Sequence, residues 1–202
     1  MSKSINELKL KEACVQAARE VIAERGVEAW SMRDVARKLE ISHQAPYRHF
    51  PNRDHLLAEI VKRCFIDFAA FLDEKSKVEP QDELRAMGQA YMTYASTKPL
   101  EYRLMFGTPW PDPAVHPEVI KYAVHAFDLL RQHLIQVHGT SPEHKKKAEL
   151  EAMFIWSSLH GMATIEQSNV MNHLVLSNGV QDEARAFSMK MIGLALSSHC
   201  EN

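Results

Sequence analysis

Between Gly26 and Pro51 the chain has no room for a long helix, and this restriction constrains the fold more than any other feature. Before it, Leu10, Cys14, Ala17, Ala18, Val21 and Ile22 recur at i, i+4, i+7, i+8, i+11 and i+12, one face of a helix. Gly26 then stands where a helix C-terminus favours a residue free to take positive φ. Ser31, with Asp34 three residues on, reads as a capping-box-like start. Met32, Val35, Ala36 and Leu39 supply the buried stripe of a short second helix that runs out at Glu40. Ser42 can cap a third helix, with Ile41 as a staple, but Pro51 blocks its continuation and Pro46 removes a backbone donor inside it. Asn52 caps a fourth helix. Its apolar face, Leu56, Leu57, Ile60, Val61, Cys64, Phe65, Phe68 and Leu72, predicts roughly six turns. Three compact helices and a long one leaving them follow from the spacing.

The pattern stays helical downstream of Lys75-Ser76-Lys77 and Pro80. Leu84, Met87, Tyr91, Tyr94 and Ala95 form a stripe ended by Lys98-Pro99. Residues 102–106 read as a short helix closed by Gly107. Pro109, Pro111, Pro113 and Pro117 then make an irregular loop around Trp110. Helices are expected over 119–137, 143–167 and 181–198, the second with Ala152, Ile155, Trp156, Leu159 and Ala163 aligned and the third with Phe187, Met191, Leu194 and Ala195. Asn178-Gly179 is a hairpin signal, but no strand-like run follows it, so a loop is expected. The fold class is all-α: an N-terminal three-helix helix-turn-helix domain joined by a long helix to a C-terminal helical bundle.

Composition bounds the function. The chain is 202 residues long, 46% hydrophobic and 25% charged, so it can bury a core without disulfides. Its three cysteines, Cys14, Cys64 and Cys200, form no CxxC pair, which suits a reducing compartment and no structural zinc. Charges from Lys3 to Glu12 leave no export signal, and the uncharged stretch 152–165 is shorter than the roughly 20 apolar residues of a membrane span. A soluble, cytoplasmic protein is expected. Net charge is −2, unevenly spread: residues 1–68 hold twelve Lys/Arg against ten Asp/Glu, and the remainder twelve against sixteen. Arg33, Arg37, Lys38, Arg48 and Arg53 concentrate positive charge within 31–53, beside His43 and His49. That patch suits phosphates, or is simply a solvated helical surface.

Two short helices joined by Glu40-Ile41-Ser42 have helix-turn-helix geometry, which puts the first turns of the second against base edges. His43, Gln44, Tyr47, Arg48 and His49 are its exposed donors and acceptors; Gln pairs with adenine and Arg with guanine. The segment from Gly26 to Leu57 resembles the TetR family of bacterial transcriptional regulators. The matching residues are Gly26, Ser31-Met32-Arg33-Asp34-Val35-Ala36, Leu39, Ile41-Ser42, Tyr47-Arg48-His49-Phe50-Pro51-Asn52-Arg53 and Leu56-Leu57. The likeness covers residues 8–68 as a DNA-binding domain, with the helix-turn-helix at 31–50. The runs Tyr102-Arg103-Leu104-Met105-Phe106-Gly107 and Trp156-Ser157-Ser158-Leu159-His160-Gly161 resemble a WHG-type ligand-binding and dimerisation domain, here 80–200. One departure stands out: Glu40 occupies the turn position where the family usually has Gly, costly if positive φ is needed there.

The resemblance implies a homodimer on a palindromic double-stranded DNA operator. It implies Ser31, Tyr47, His49 and Arg53 as backbone contacts and His43, Gln44 and Arg48 as base readers, with Arg33 and Ser42 alongside. Packing between helices competes for Tyr47, and a capping or surface role for His49. The last two helices resemble the family's dimerising pair, with Ser157, Gly161, Thr164, Met191 and Ala195 as contact candidates; packing within one subunit is the alternative. A small apolar effector would be held among Phe65, Phe68, Met87, Tyr91, Tyr94, Met105, Phe106, Trp110, Trp156 and His160, residues that otherwise make plain core. The function expected is that of a ligand-responsive, sequence-specific regulator, with repression as the family default. Catalysis is not expected, since HExxH, GxSxG and phosphate-binding glycine loops are missing and there are only seven glycines. No cofactor and no bound metal are expected. Two alternatives remain: a metal-responsive regulator using His133, His138 and His144, and a helical interaction module without DNA binding, suggested by Glu40.

Overall fold

A computed structural model describes residues 2–75 and 80–198, with side chains for 7–74, 83–168, 170–171 and 173–196. Ser76, Lys77 and Cys200 lie outside the described residues. Eight α-helices and no strand occur among the described residues: α1 (Ser2–Arg25), α2 (Met32–Lys38), α3 (Arg53–Lys75), α4 (Pro80–Thr97), α5 (Pro99–Phe106), α6 (Pro117–His138), α7 (Pro142–Glu166) and α8 (Val180–Ser198). The chain is all-α, as its periodicity requires.

Helix ends fall where local chemistry puts them. Gly26 takes φ +84°, and its N–H returns to Ile22 O at 2.8 Å. Ser31 Oγ accepts from Asp34 N at 3.3 Å and caps α2. Asn52 Oδ1 accepts from His55 N at 3.0 Å and caps α3. Pro99 opens α5, earlier than the Tyr102 start expected, because a proline at the first helical position sacrifices no intrahelical bond. Asn178 and Gly179 form a turn, and α8 begins at Val180.

The expected third helix is not an α-helix. Residues 43–45 form a turn that leads into a 3-10 helix, Pro46–Arg48. The reason is Pro46, which has no N–H to return to Ser42. Ala45 N takes the Ser42 carbonyl instead at 2.9 Å, and the pattern repeats as Arg48 to Ala45 at 3.2 Å and His49 to Pro46 at 3.1 Å.

Contacts group the chain into two compact units, Met1–Asp67 with Leu100–Val124, and Phe68–Pro99 with His125–Asn202. Residues 100–124 thus group with the N-terminal helices, whereas the sequence places them after the division at residue 80. In the first unit, Cys14, Ala18, Ile22, Val35, Leu56, Ile60 and Phe65 form the core. Phe65 meets Phe106 and Trp110 edge-on at ring separations of 5.7 and 5.3 Å, and Arg19 pairs with Glu101. These contacts hold α5 and the proline-rich loop to α1 and the start of α3. In the second unit α4 packs on α7 and α8. A Cβ on Gly88 would lie 2.7 Å from Met189 Cε, so α4 and α8 approach where α4 has no side chain.

Glu40 carries φ +55°, the one non-glycine among the described residues in the left-handed region. Its N–H bonds Arg37 O at 3.1 Å, and Ile41 N reaches back to Ala36 O at 3.0 Å. That pair of bonds is a Schellman closure of α2, a position suited to glycine. Left-handed backbone costs an ordinary residue roughly 1–2 kcal/mol, offset in part by the extra unfolded-state freedom of glycine, about 0.4–1 kcal/mol. Glu40→Gly is therefore expected to stabilise the protein by about 1 kcal/mol in urea unfolding. An unchanged or lower midpoint would contradict the strain.

Candidate nucleic-acid interface

The interface is built on the inside first. Pro46 and Phe50 are buried, which pins the 3-10 turn to the core and turns its other face outward. Ser42, His43, Gln44, Tyr47 and Arg48 are exposed, Tyr47 at 42%. Tyr47 is thus not packed between helices. His49 is half-buried, with Nε2 buried and lacking a hydrogen-bond partner. Ser42 Oγ accepts from Gln44 N at 3.3 Å, which leaves the Gln44 amide side chain facing outward.

Beside this turn, the first residues of α2 are organised by Asp34. Ser31 Oγ donates to Asp34 Oδ2 at 2.6 Å, and Arg25 and Arg37 each place Nη1 on Oδ1, at 2.9 and 3.0 Å. The Ser31 hydrogen bond, then the two guanidinium charges, hold the Asp34 carboxyl below its usual range. Lys38 is paired with Glu20 and Glu24 of α1 at 3.1 and 2.7 Å. Arg53 donates to the Val27 carbonyl and lies 4.9 Å from the Trp30 ring centroid. Of the five cations that the sequence concentrates in 31–53, three are therefore engaged within the protein. Arg33 and Arg48 are exposed and make no ion pair among the described residues. No local signal announces the Trp30–Arg53 contact, because the partners are far apart along the chain.

The ten residues considered for an effector divide between the units. Phe65, Met105, Phe106 and Trp110 lie in the first, and Phe68, Met87, Tyr91, Tyr94, Trp156 and His160 in the second. Phe65, Phe68, Met87, Tyr91, Tyr94 and Met105 are buried core; Phe106, Trp110, Trp156 and His160 are half-exposed. Trp110 Nε1 donates to Met105 O at 2.8 Å. In the second unit Tyr91 Oη lies 3.2 Å from His160 Nδ1, and Trp156 stands between His160 and Phe127 at ring separations of 6.3 and 5.6 Å. Burial pushes the His160 pKa down, favouring the neutral ring. A groove of about 300 Å³ lies elsewhere in that unit, lined by Lys147, Leu150, Glu151, Phe154, Ala195 and Leu196.

The dimer candidates sit on the outer faces of α7 and α8. Ser157, Thr164 and Met191 are exposed, Gly161 and Ala195 half-exposed, and a Cβ on Gly161 would meet open space. Leu150, Met153, Phe154, Ile165, Phe187 and Leu194 are exposed on the same two helices. Two of the three histidines considered as metal ligands pair separately with carboxylates, His133 with Glu83 at 3.0 Å and His138 with Glu151 at 2.5 Å. Among the described residues no group of three or more His, Cys, Asp or Glu is placed to hold a metal, and no helix is long and apolar enough to cross a membrane.

An exposed polar turn beside a capped short helix, on an all-α body, defines a helix-turn-helix protein. The comparisons supply its family. Residues 15–60 match the family described as bacterial regulatory proteins, tetR family, and residues 84–187 match the tetracyclin repressor-like C-terminal domain. Among curated relatives, HTH-type transcriptional regulator Mb1846 of Mycobacterium bovis is 28% identical over 101 residues, 48% of this chain and 43% of its own length. HTH-type transcriptional repressor Rv3405c of Mycobacterium tuberculosis is 39% identical over 49 residues, 24% of this chain and 26% of its own. The matched stretch spans less than half the length of either relative. Two solved structures share the fold. Regulatory protein SCO4313 has a TM-score of 0.73 at 23% identity, covering 94% of this chain and 97% of that one. A tetR-family regulatory protein from Rhodococcus RHA1 has 0.63 at 16%, covering 91% and 97%. The chain belongs to the TetR family of DNA-binding transcriptional regulators.

Two predictions separate the scaffold of this surface from the surface itself. Arg53→Ala is expected to lower stability by about 2 kcal/mol through loss of the Val27 and Trp30 contacts, while Arg48→Ala leaves the unfolding midpoint unchanged; equal midpoints for the two would remove the tether. The Asp34 carboxylate has a folded pKa below its unfolded one. Its stabilisation is complete above the unfolded pKa, about 3.9, and is lost as pH falls through the lower folded value. Asp34→Asn should therefore be less stable at pH 7 and show a shallower loss below about pH 4 than the wild type, measured by urea unfolding.

Proposed function

We propose that this TetR-family regulator acts as a homodimer that binds a palindromic operator and represses transcription until a small, uncharged, largely apolar effector releases it. The observation that carries the DNA half is the outward set Ser42, His43, Gln44, Tyr47 and Arg48, backed by buried Pro46 and Phe50. Gln44 and Arg48 are proposed to read adenine and guanine edges, with His43 beside them. Ser31, Arg33, Ser42, Tyr47 and His49 are proposed for the sugar-phosphate backbone. Arg53 acts first by fixing the loop that precedes α2; any phosphate contact it makes comes from the guanidinium face turned away from Val27.

The dimer half rests on the exposed apolar residues of α7 and α8, since a soluble monomer seldom leaves so many large apolar side chains on two neighbouring helices. Two-fold symmetry then pairs the recognition turns with successive major-groove segments. Effector contact is proposed at His160, Trp156 and Tyr91 in the second unit. A neutral imidazole beside a phenol and an indole suits a ligand with an apolar body and one polar group. Such a ligand changes DNA affinity only by its differential binding to two conformations. Acting on chromosomal DNA places the protein in the cytoplasm.

Selection of bound DNA from a random oligonucleotide pool tests this reading. An enriched palindrome is expected, and Arg48→Ala should bind it about 10- to 100-fold more weakly, the worth of one bidentate base contact. Binding without enrichment that disappears as salt rises would reduce the interaction to phosphate attraction and overturn sequence-specific regulation.

A further inference from the structure

Lys11 stands at the edge of the buried face of α1. It lies one turn before Val15, which is buried, so its stem starts against the core. Its Nζ is 5.9 Å from the centroid of the Phe50 ring, within cation–π reach. Phe50 is buried and directly follows His49, at the end of the exposed turn. Helix α1 also packs on the Pro46–Arg48 turn itself. A long cationic side chain in such a place lays its methylenes on apolar surface and keeps its ammonium in water. Lys11 is accordingly half-buried.

The ammonium makes no ion pair among the described residues, although Glu7 lies one turn back and Glu12 follows directly. Glu12 is taken up by Arg63 of α3, whose Nη2 donates to Oε1 at 2.7 Å. That hydrogen bond, opposed by burial, holds the Glu12 carboxyl below its usual range. The other α1 cations with described side chains differ. Arg19 pairs with Glu101, and Arg25 pairs with Asp34 at 2.9 Å. Lys9 is exposed and, two residues from Lys11, lies about 200° around the helix from it.

We propose that Lys11 contacts a DNA phosphate, so that α1 adds a backbone contact from outside the helix-turn-helix. This rests on the DNA-binding reading of the exposed turn. The chemistry names the partner. An ammonium with three donors and no carboxylate on it suits a phosphate oxygen. Phe50 holds that ammonium beside the end of the turn, next to His49, itself proposed for the backbone. Each phosphate neutralised releases counterions, so such a contact strengthens binding to every sequence alike.

The test is fluorescence anisotropy of the full chain between about 50 and 200 mM salt, with two duplexes, one of random sequence and one selected from the pool. Four proteins are compared: the wild type, Lys11→Met, Lys11→Arg and Lys9→Met. Methionine keeps an apolar stem over Phe50, so the thermal midpoint of Lys11→Met should match the wild type. Lys11→Met is expected to weaken binding to both duplexes by the same factor, about tenfold, the worth of one charge-assisted hydrogen bond. It should also flatten the plot of log affinity against log salt by about 0.9 for each bound copy. Lys11→Arg should restore both, and Lys9→Met should keep the wild-type slope. Equal losses in Lys9→Met and Lys11→Met would reduce the effect to general charge and overturn the contact. So would an unchanged Lys11→Met, or a loss confined to the selected duplex at unchanged slope, which would make Lys11 a support for Phe50 only. Each of these leaves DNA binding intact. A wild type that binds neither duplex would overturn the DNA-binding reading and the contact with it.

Discussion

The exposed turn of residues 42–48 depends on the burial of Pro46 and Phe50. No regular helix is available between Glu40 and Pro51 to present side chains at fixed angles. Two buried anchors, four residues apart, take that role. Because Pro46 cannot donate a backbone hydrogen bond, the segment winds more tightly, and the 3-10 turn sends Tyr47 and Arg48 outward while its inner side stays dry. The same anchoring explains how a strained Glu40 is tolerated. The Schellman bonds to Ala36 and Arg37 and the packing beyond it hold the residue in a conformation that it would not choose alone.

Charge on this surface is selective rather than abundant. Lys38 is tied to α1, Arg37 to Asp34, and Arg53 to Trp30 and Val27. Lys38 ties α2 to α1 and Arg53 ties α3 to the loop before α2, and solvent-exposed ion pairs such as those of Arg37 and Lys38 contribute only about 0–1 kcal/mol each. Arg37 and Lys38 stay exposed although paired, and Arg33 and Arg48 are exposed with no ion pair among the described residues. With a net charge of −2, the chain carries no broad basic field.

The second unit has the opposite character. The connection between α7 and α8 carries no charge, and Leu150, Met153, Phe154 and Ile165 of α7 and Phe187, Met191 and Leu194 of α8 are exposed where solvent would favour polar groups. Inside, α4 packs closely on α8 at Gly88, and Gln167 Nε2 caps the Ala95 carbonyl at 3.0 Å. His133 and His138 are used in pairing α6 with Glu83 of α4 and Glu151 of α7. Histidines that look like ligands by spacing therefore act here as polar ties between helices.

The sequence by itself determined the all-α class, most of the helices, several of their ends and the family. Those signals are local: apolar spacing, a serine or asparagine cap, a glycine at positive φ and a proline stop each act within a few residues. Even the Glu40 strain was legible, since a non-glycine stood where the turn needs left-handed backbone. Tertiary structure decided what local signals cannot carry. The 3-10 form of the Pro46 turn was set by packing and a missing donor together. The pairing of Lys38 with Glu20 and Glu24, the Arg53–Trp30 contact and the grouping of residues 100–124 with the first unit all join residues separated along the chain. So does the difference between core aromatics and half-exposed ones: Tyr94 and Trp156 look alike in sequence, and only the helices packed against them leave one buried and the other within reach of solvent.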